Sequence, residues 1–108
     1  MRKTKEVEIF GKKVKLSERN ARDVLNLAEY AGSQEMTPAM SVYISAIALQ
    51  DSLKYGLKWY ERKITAKKLL KKLTQKEIFE FMAVVLEIEG VDKKKVMEVE
   101  SEEKSQDG

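Results

Sequence analysis

The feature that most constrains the fold is a run of fifteen residues without a charged side chain, from Met36 to Gln50. Within it, Thr37 followed by Pro38 is a typical helix start, because threonine caps free amides and proline is favoured at the first helical position. Apolar side chains then occur on nearly every side of a helix predicted to run to about Tyr55. Since a helix that is apolar all round must be covered by several neighbours, this segment predicts a central helix.

One ridge of this central helix carries only small side chains, which are Ser41, Ser45, Ala48 and Ser52. Small residues at a helix crossing let another element approach closely. The ridge therefore serves either internal packing or contact between copies of the chain.

The N-terminal stretch "VEIFGKKVKL" predicts a β-hairpin, because two runs of alternating polarity flank a glycine. A type II′ turn at Gly11–Lys12 suits a glycine in the first turn position. The expected cross-strand pairs are Ile9 with Val14, Val7 with Leu16, and Glu8 with Lys15. One face of the hairpin is then apolar and must pack on helices. Phe10 falls on the polar face, where it is either covered by a later part of the chain or exposed for a partner.

A first helix is predicted to follow the hairpin and to run to about Ala31, with Gly32 ending it. Ser17 is expected to cap its first turn, and Leu16 and Ala21 are spaced as a hydrophobic staple. The expected inward stripe consists of Val24, Leu27, Ala28 and Ala31, widened by Leu25.

Two more helices are predicted after the central one. Residues 66–73 place apolar side chains at helical spacing with lysines opposite, which indicates a short amphipathic helix. Thr74 and Glu77 then have the spacing of a capping box. The inward stripe of this last long helix is Ile78, Phe81, Met82 and Val85, widened by Phe79, Leu86 and Ile88 and closed by Gly90. Asp92 has the place of a cap for one further short helix.

These elements together predict an α+β fold that is mostly α, with an N-terminal β-hairpin packed on a small bundle of about four helices. We expect a single globular domain over residues 1–97. An acidic, disordered tail is expected over residues 98–108, whose last eight residues have nothing to bury.

The composition argues against several kinds of chemistry. The chain has no cysteine and no histidine, so thiolate catalysis and imidazole acid–base chemistry are both missing. The five glycines are scattered, which does not match a phosphate-binding loop, and the acidic tail lacks the spacing of a calcium loop. We expect no enzyme activity, no catalytic or metal site and no cofactor. Without a secretory signal or a bilayer-length apolar run, we expect a cytoplasmic protein with no membrane contact.

The strongest charge feature is the basic segment, residues 54–76, which carries nine lysines or arginines and one acid, Glu61. It is either a solvated helix face, a contact for an acidic protein, or a nucleic-acid surface. Eight of the nine cations are lysine, which is strongly hydrated and favours the solvated face. Trp59 and Tyr60 in this segment either close the edge of the core or anchor a partner.

The order of the pieces resembles a known protein family. "EVEIFGKKVKL" leads into "SERNARDVLNLAEYAG", a long apolar helix follows, and the chain closes with "LTQKEIFEFMAVVLEIEGVD" and acidic residues. This layout resembles the tail assembly chaperones of long-tailed bacteriophages and prophages. The resemblance implies a protein of the host cytoplasm that binds helical segments of the tape measure protein and keeps it soluble until the tail tube assembles. Some members have a frameshifted longer form, which here would begin near Glu98.

The partner-binding residues expected for this role are Tyr55, Leu57, Trp59, Tyr60 and Lys63, backed by Lys67 and Lys71. One alternative is a small nucleic-acid-binding accessory protein that uses the basic segment. Another is a structural phage tail or head-completion protein that forms a homo-oligomer through the small-residue ridge.

Overall fold

The computed structural model describes residues 3–56 and 64–90. Its elements in chain order are β1 (Thr4–Ile9), β2 (Lys12–Ser17), α1 (Ala21–Gly32), α2 (Pro38–Leu53), α3 (Ala66–Lys72) and α4 (Gln75–Ile88). This confirms the predicted α+β fold, mostly α, with an N-terminal hairpin on four helices. The predicted end of the domain at residue 97 and the predicted tail over residues 98–108 lie outside the described residues.

The centre of the fold is α2, as the charge-free run predicts. It packs against α1, α3, α4 and β2. Leu49 and Leu53 are fully buried, as is Ala46. Thr37 caps its start by accepting a hydrogen bond from the Met40 amide, with proline in the first turn. The other helices and the hairpin are therefore arranged around this one buried helix.

The hairpin has a different register from the predicted one. The turn residues are Phe10 and Gly11, both with positive φ (55° and 75°), so the turn is of the primed kind that follows the twist of the strands. Val7 lies opposite Val14, and Glu8 lies opposite Lys13. The register is thus shifted by two residues from the Gly11–Lys12 turn, and the predicted pairs Ile9–Val14, Val7–Leu16 and Glu8–Lys15 are wrong.

The apolar face of the hairpin is nevertheless the predicted one, because a shift of two residues keeps every side chain on its side of the sheet. Ile9, Val14 and Leu16 are buried, and Val7 packs against the same core. Phe10 is also partly buried against this core. Phe10 therefore has a positive φ, which is uncommon for an aromatic residue, and its side chain packs against the core instead of being fully exposed.

Ser17 does not cap α1 as predicted. It ends β2, is buried, and faces Ser52 of α2. The Ser52 hydroxyl accepts from the Ser17 amide at 3.0 Å and donates to the Ser17 carbonyl at 2.6 Å, while the Ser17 hydroxyl donates to the Ser52 carbonyl at 3.1 Å. The N-cap of α1 is instead Asn20, whose side chain accepts from the Arg22 amide. Part of the small-residue ridge therefore serves packing within the chain.

Helix α1 departs most from its predicted orientation. Leu27 is its one buried residue, whereas Val24 is 39% and Leu25 is 59% exposed. Ala28 is exposed and Ala31 is half-buried. The apolar stripe that was expected to face the core is therefore largely open along α1.

Helices α3 and α4 follow the predicted pattern closely. The Thr74 hydroxyl accepts from the Glu77 amide at 3.1 Å and the Glu77 carboxylate accepts from the Thr74 amide at 2.9 Å, which confirms the capping box. Leu69 and Val85 are fully buried. Phe79 is the exception, since it is 40% exposed rather than part of the core.

A largely buried ion pair joins the end of α4 to the segment between β2 and α1. The Glu89 carboxylate accepts from Arg19 Nε at 2.8 Å, from a terminal guanidinium nitrogen at 2.8 Å, and from the Arg19 amide at 2.9 Å. The two side chains are 8% and 13% exposed. Their contact fixes the end of α4 beside the start of α1.

Candidate functional site

The most distinctive surface feature is a groove between α1 and α2, which we name the tyrosine groove. It encloses about 300 Å³ and is open to solvent along the surface. This is room for a few side chains rather than for a large cofactor. Its lining residues are Asp23, Asn26, Leu27, Tyr30, Tyr43, Ile47 and Asp51.

The groove is built from one row of side chains on each helix. On α1 the row has spacing i, i+4, i+7 and reads Asp23, Leu27, Tyr30. On α2 the row has spacing i, i+4, i+8 and reads in the opposite order, Tyr43, Ile47, Asp51. Residues at these spacings share a helix face, so each helix presents its whole row to the groove. The result is an aromatic end, an aliphatic middle and an acidic end.

The aromatic end consists of Tyr30 and Tyr43. Their ring centroids are 6.3 Å apart and the ring planes are tilted by 47°. Each side chain is well exposed, at 39% and 38% respectively. Tyrosine rings that are held by one another but remain open to solvent are the kind of surface that anchors a binding partner at low entropic cost.

The acidic end is a cluster of four polar side chains. Lys54 Nζ lies 2.8 Å from Asp23 Oδ2 and 3.7 Å from Asp51 Oδ1. The Tyr55 hydroxyl donates to Asp23 Oδ2 at 2.6 Å, and Lys54 lies 5.2 Å from the centre of the Tyr55 ring. The ammonium group of Lys54 thus lies close to both carboxylates.

Two groups of this cluster, Asp51 and Lys54, have shifted pKa values. Burial raises the pKa of Asp51, and the nearby Asp23 charge adds to that rise, although Lys54 acts against it. Burial lowers the pKa of Lys54, but the hydrogen bond and charges of the two aspartates outweigh it, so the pKa is raised overall. Burial thus disfavours the charge of Asp51, and a cation from outside would favour that charge.

The predicted partner-binding residues lie only partly within the described chain. Leu57, Trp59, Tyr60 and Lys63 lie outside the described residues. Tyr55 is half-buried in the acidic cluster, beside the groove rather than in its lining.

The lysines of α3 divide into two pairs. Lys68 and Lys72 place Nζ 5.8 Å and 5.5 Å from the centre of the Phe10 ring. This answers the question about Phe10, because a later helix approaches it. Lys67 and Lys71 are exposed on α3, which does not contribute to the lining of the tyrosine groove. The predicted site residues that are described, Tyr55 and these two lysines, are thus on different elements.

Sequence reasoning missed the residues that form the groove. The sequence predicts Leu27 and the apolar residues of α2 to lie in the core, and its periodicity does not by itself link the aspartates and tyrosines of the two helices. The signal that would have found them is the pair of rows, acid–aliphatic–aromatic in one helix and the reverse in the next. When two such helices are antiparallel neighbours, their acidic residues meet at one end of a shared groove and their aromatic residues meet at the other.

Among residues 3–56 and 64–90, no helix is long and apolar enough to cross a membrane. The same part of the chain contains no group of three or more side chains that could hold a metal ion. Comparisons with protein-family models, with curated proteins and with solved structures find no match.

Proposed function

We propose that this protein is a phage tail assembly chaperone that binds helical segments of the tape measure protein and keeps them soluble until the tail tube assembles. The observation that carries the proposal is the tyrosine groove, with its aromatic end, aliphatic middle and acidic end. The layout of the sequence, which resembles that chaperone family, supports the choice of partner.

The groove suits one side of an amphipathic helix. Apolar side chains of the partner enter between Leu27 and Ile47, as in other complexes where a helix lies in a groove between helices. Tyr30 and Tyr43 cover the next turn of the partner with their rings. A lysine or arginine one or two turns away then lies close to the Asp51 carboxylate, whose charge burial disfavours.

The dimensions of the groove favour release as well as binding. Within residues 3–56 and 64–90 its lining comprises seven side chains, fewer than the roughly 20–30 residues a side of a stable protein–protein interface. A single groove contact is therefore weak, and a long helical partner is held by several chaperone molecules along its length. Such contacts dissociate one at a time when tube subunits compete for the same helical surface.

The test is co-expression of the chain with the tape measure protein, followed by measurement of how much tape measure protein remains soluble. The double variant Tyr30→Ala, Tyr43→Ala is expected to lower the soluble yield several-fold. Phe79→Ala is the matched control, because Phe79 is similarly exposed but lies on α4, away from the groove. No gain in solubility with the unaltered chain, or an equal loss with Phe79→Ala, would contradict the proposal.

The acidic end gives a second, independent arm of this test. Binding of labelled helical peptides from the tape measure sequence is followed by fluorescence anisotropy. Asp51→Asn is expected to weaken the binding of peptides that carry a basic residue about one or two turns from their apolar stripe. Peptides in which that residue is neutral should bind the variant and the unaltered chain alike.

Lys67 and Lys71 support a second candidate, binding of nucleic acid by the basic segment, because both ammonium groups are exposed on one short helix. Such binding weakens steeply with salt, by a slope set by the number of phosphates contacted. A gel shift at low salt that disappears in Lys67→Glu, Lys71→Glu and persists in the tyrosine variant would favour this candidate over the first.

A further inference from the structure

A second groove runs along the outer side of α1, and we name it the outer groove. It encloses about 550 Å³, and its apolar floor is the part of the α1 stripe that the sequence predicts to face the core. Val24 and Leu25 are 39% and 59% exposed there. Apolar side chains that are grouped on an open surface often mark an interaction site. The lining residues are Glu18, Arg19, Ala21, Val24, Leu25, Ala28 and Glu89.

The apolar floor has the shape of a helix contact. Ala21, Leu25 and Ala28 have the spacing i, i+4, i+7, so they share one face of α1, with Val24 beside them. The side chains at the two ends of this row are small, and the two larger ones lie in its middle. Since small residues let a second helix approach closely, the floor fits a helix that crosses it along the same direction.

Two opposite charges border the floor on its solvent side. Arg22 follows the first alanine of the row and Glu29 follows the last, and both side chains are exposed. They are seven residues apart, which is about two helical turns or 10 Å, so they lie on the same side of α1. Within residues 3–56 and 64–90, neither side chain makes an ion pair. The floor is therefore bordered by a cation near its start and an anion near its end.

This surface is complementary to itself. The pair of alanines at positions 21 and 28 and the pair of charges at positions 22 and 29 are each centred within one residue of Leu25. A two-fold axis beside Leu25 that sets two copies of α1 antiparallel therefore brings the start of each row against the end of the other. Ala21 then meets Ala28 of the second copy. Each Arg22 lies beside Glu29 of the second copy, and symmetry makes this ion pair twice.

The inner edge of the outer groove carries charges that are already paired. Arg19 and Glu89 are joined there by three hydrogen bonds, and their side chains are only 8% and 13% exposed. A second copy that covers this edge leaves neither group without its counter-charge. The large cost of burying an unpaired charge is therefore avoided at this edge.

We propose that the outer groove is a dimer interface, formed by antiparallel contact between two copies of α1. The described lining has seven residues, fewer than the roughly 20–30 residues a side of a stable interface, so the dimer is weak. We expect a dissociation constant on the order of 100 µM. The tyrosine groove lies on the opposite side of α1 and stays open in the dimer. The dimer does not depend on what the tyrosine groove binds.

Sedimentation equilibrium of the full chain at concentrations up to about 1 mM measures this association. Leu25→Asp is expected to weaken dimerisation at least about tenfold, because it places two carboxylates at the two-fold axis. Leu25 is 59% exposed, so its circular dichroism spectrum should not change. Phe79→Asp is the matched control, because Phe79 is also exposed but lies on α4 and outside the groove lining. A chain that stays monomeric at about 1 mM, or equal weakening by the two variants, would overturn the proposal.

A charge exchange tests the pairing of the two copies. Arg22→Glu is expected to weaken the dimer about tenfold at low salt, because two repulsive contacts replace two attractive ones. Adding Glu29→Arg to the same chain restores both ion pairs with their signs reversed, so it should return the affinity to nearly that of the unaltered chain. Failure of the double variant to recover would contradict the antiparallel pairing.

Disulfide formation reports the direction of the two helices, since the chain has no cysteine of its own. Ala21→Cys and Ala28→Cys are prepared as separate chains, mixed in equal amounts and oxidised mildly. The mixed disulfide is expected to form about tenfold faster than either symmetric one, because unlike positions meet whereas like positions are about 10 Å apart along the helix. A predominance of symmetric products, or equal rates for all three, would overturn the proposal without affecting the test of partner binding at the tyrosine groove.

Discussion

The hydroxyl of Ser52 provides the sharpest test of how the hairpin is held on α2. Thr4 and Ser17 form a pair whose main-chain groups do not bond to each other, since the Glu18 amide bonds to the Lys3 carbonyl instead. The Ser17 amide and carbonyl therefore point away from β1, and the Ser52 hydroxyl satisfies both, at 3.0 Å and 2.6 Å. Ser52→Ala removes the two bonds at once.

The expected cost follows from burial. Ser17 is 1% exposed and Ser52 is 0% exposed, so water does not reach the groups that lose their partner. A buried polar group left without a hydrogen bond costs about 1–3 kcal/mol. Alanine recovers about 0.5 kcal/mol through its higher helix propensity. Two such groups, the Ser17 amide and carbonyl, lose their partner, and local relaxation lowers their combined cost. We therefore expect the free energy of unfolding to fall by about 1–4 kcal/mol, out of a total of about 5–15 kcal/mol.

Urea unfolding followed by far-ultraviolet circular dichroism measures this loss. Ser45→Ala is the matched control, because Ser45 is on the same ridge of α2 but is only half-buried, and its change is expected within about 0.5 kcal/mol. Ser17→Ala keeps the main-chain groups of Ser17 and removes one bond, so it should cost about 1 kcal/mol. A loss below about 1 kcal/mol for Ser52→Ala, or equal losses for Ser52→Ala and Ser45→Ala, would refute the reasoning.

Three further outcomes are expected in the same unfolding assay. Burial disfavours the charge of Glu89, but the hydrogen bonds from Arg19 outweigh it and lower its pKa. The ion pair therefore stabilises the fold above the ordinary carboxyl pKa, and this contribution is lost as the pH falls through the lowered pKa of the folded state. Glu89→Gln should lower the free energy of unfolding by about 2 kcal/mol at neutral pH and by little in strong acid. An equal loss at both pH values would contradict this. Because burial raises the pKa of Asp51, its charge opposes folding at neutral pH, so Asp51→Asn should raise the urea midpoint there; the gain should decline as the pH falls below that raised pKa and vanish below the ordinary carboxyl pKa. Gly56→Ala should destabilise by about 1–3 kcal/mol, because a Cβ there would lie 2.7 Å from the Lys15 carbonyl oxygen, whereas Gly32→Ala, with nothing within 4 Å, should be neutral or slightly stabilising.

The parts of the fold that sequence could predict are those set by local chemistry. The capping box of Thr74 and Glu77 depends on residues three apart, and the central position of α2 follows from its uniform apolarity. The apolar face of the hairpin is also local, since it depends only on alternation. Each of these needs no knowledge of what lies elsewhere in the chain.

The parts that sequence could not predict depend on distant neighbours. A turn at Gly11–Lys12 and one at Phe10–Gly11 both keep the apolar face inward, and the observed one also brings Phe10 close to α3 lysines. The periodicity of α1 predicts an apolar stripe but not which side of it is covered, and in the structure Leu27 is the one residue of α1 that is buried. Prediction of the tyrosine groove would have required knowing that α1 and α2 are neighbours whose rows of side chains run in opposite order.

The Arg19–Glu89 pair also bears on how the chain reaches its native state. It joins residues 70 positions apart, whereas the hairpin and the capping box of α4 form between near neighbours. Closing so long a loop is slow, because its entropy must be lost before the contact gives anything in return. The ion pair is therefore expected to be absent from the folding transition state. Its removal should leave the refolding rate nearly unchanged and accelerate unfolding, so the pair governs how long the molecule stays folded once formed.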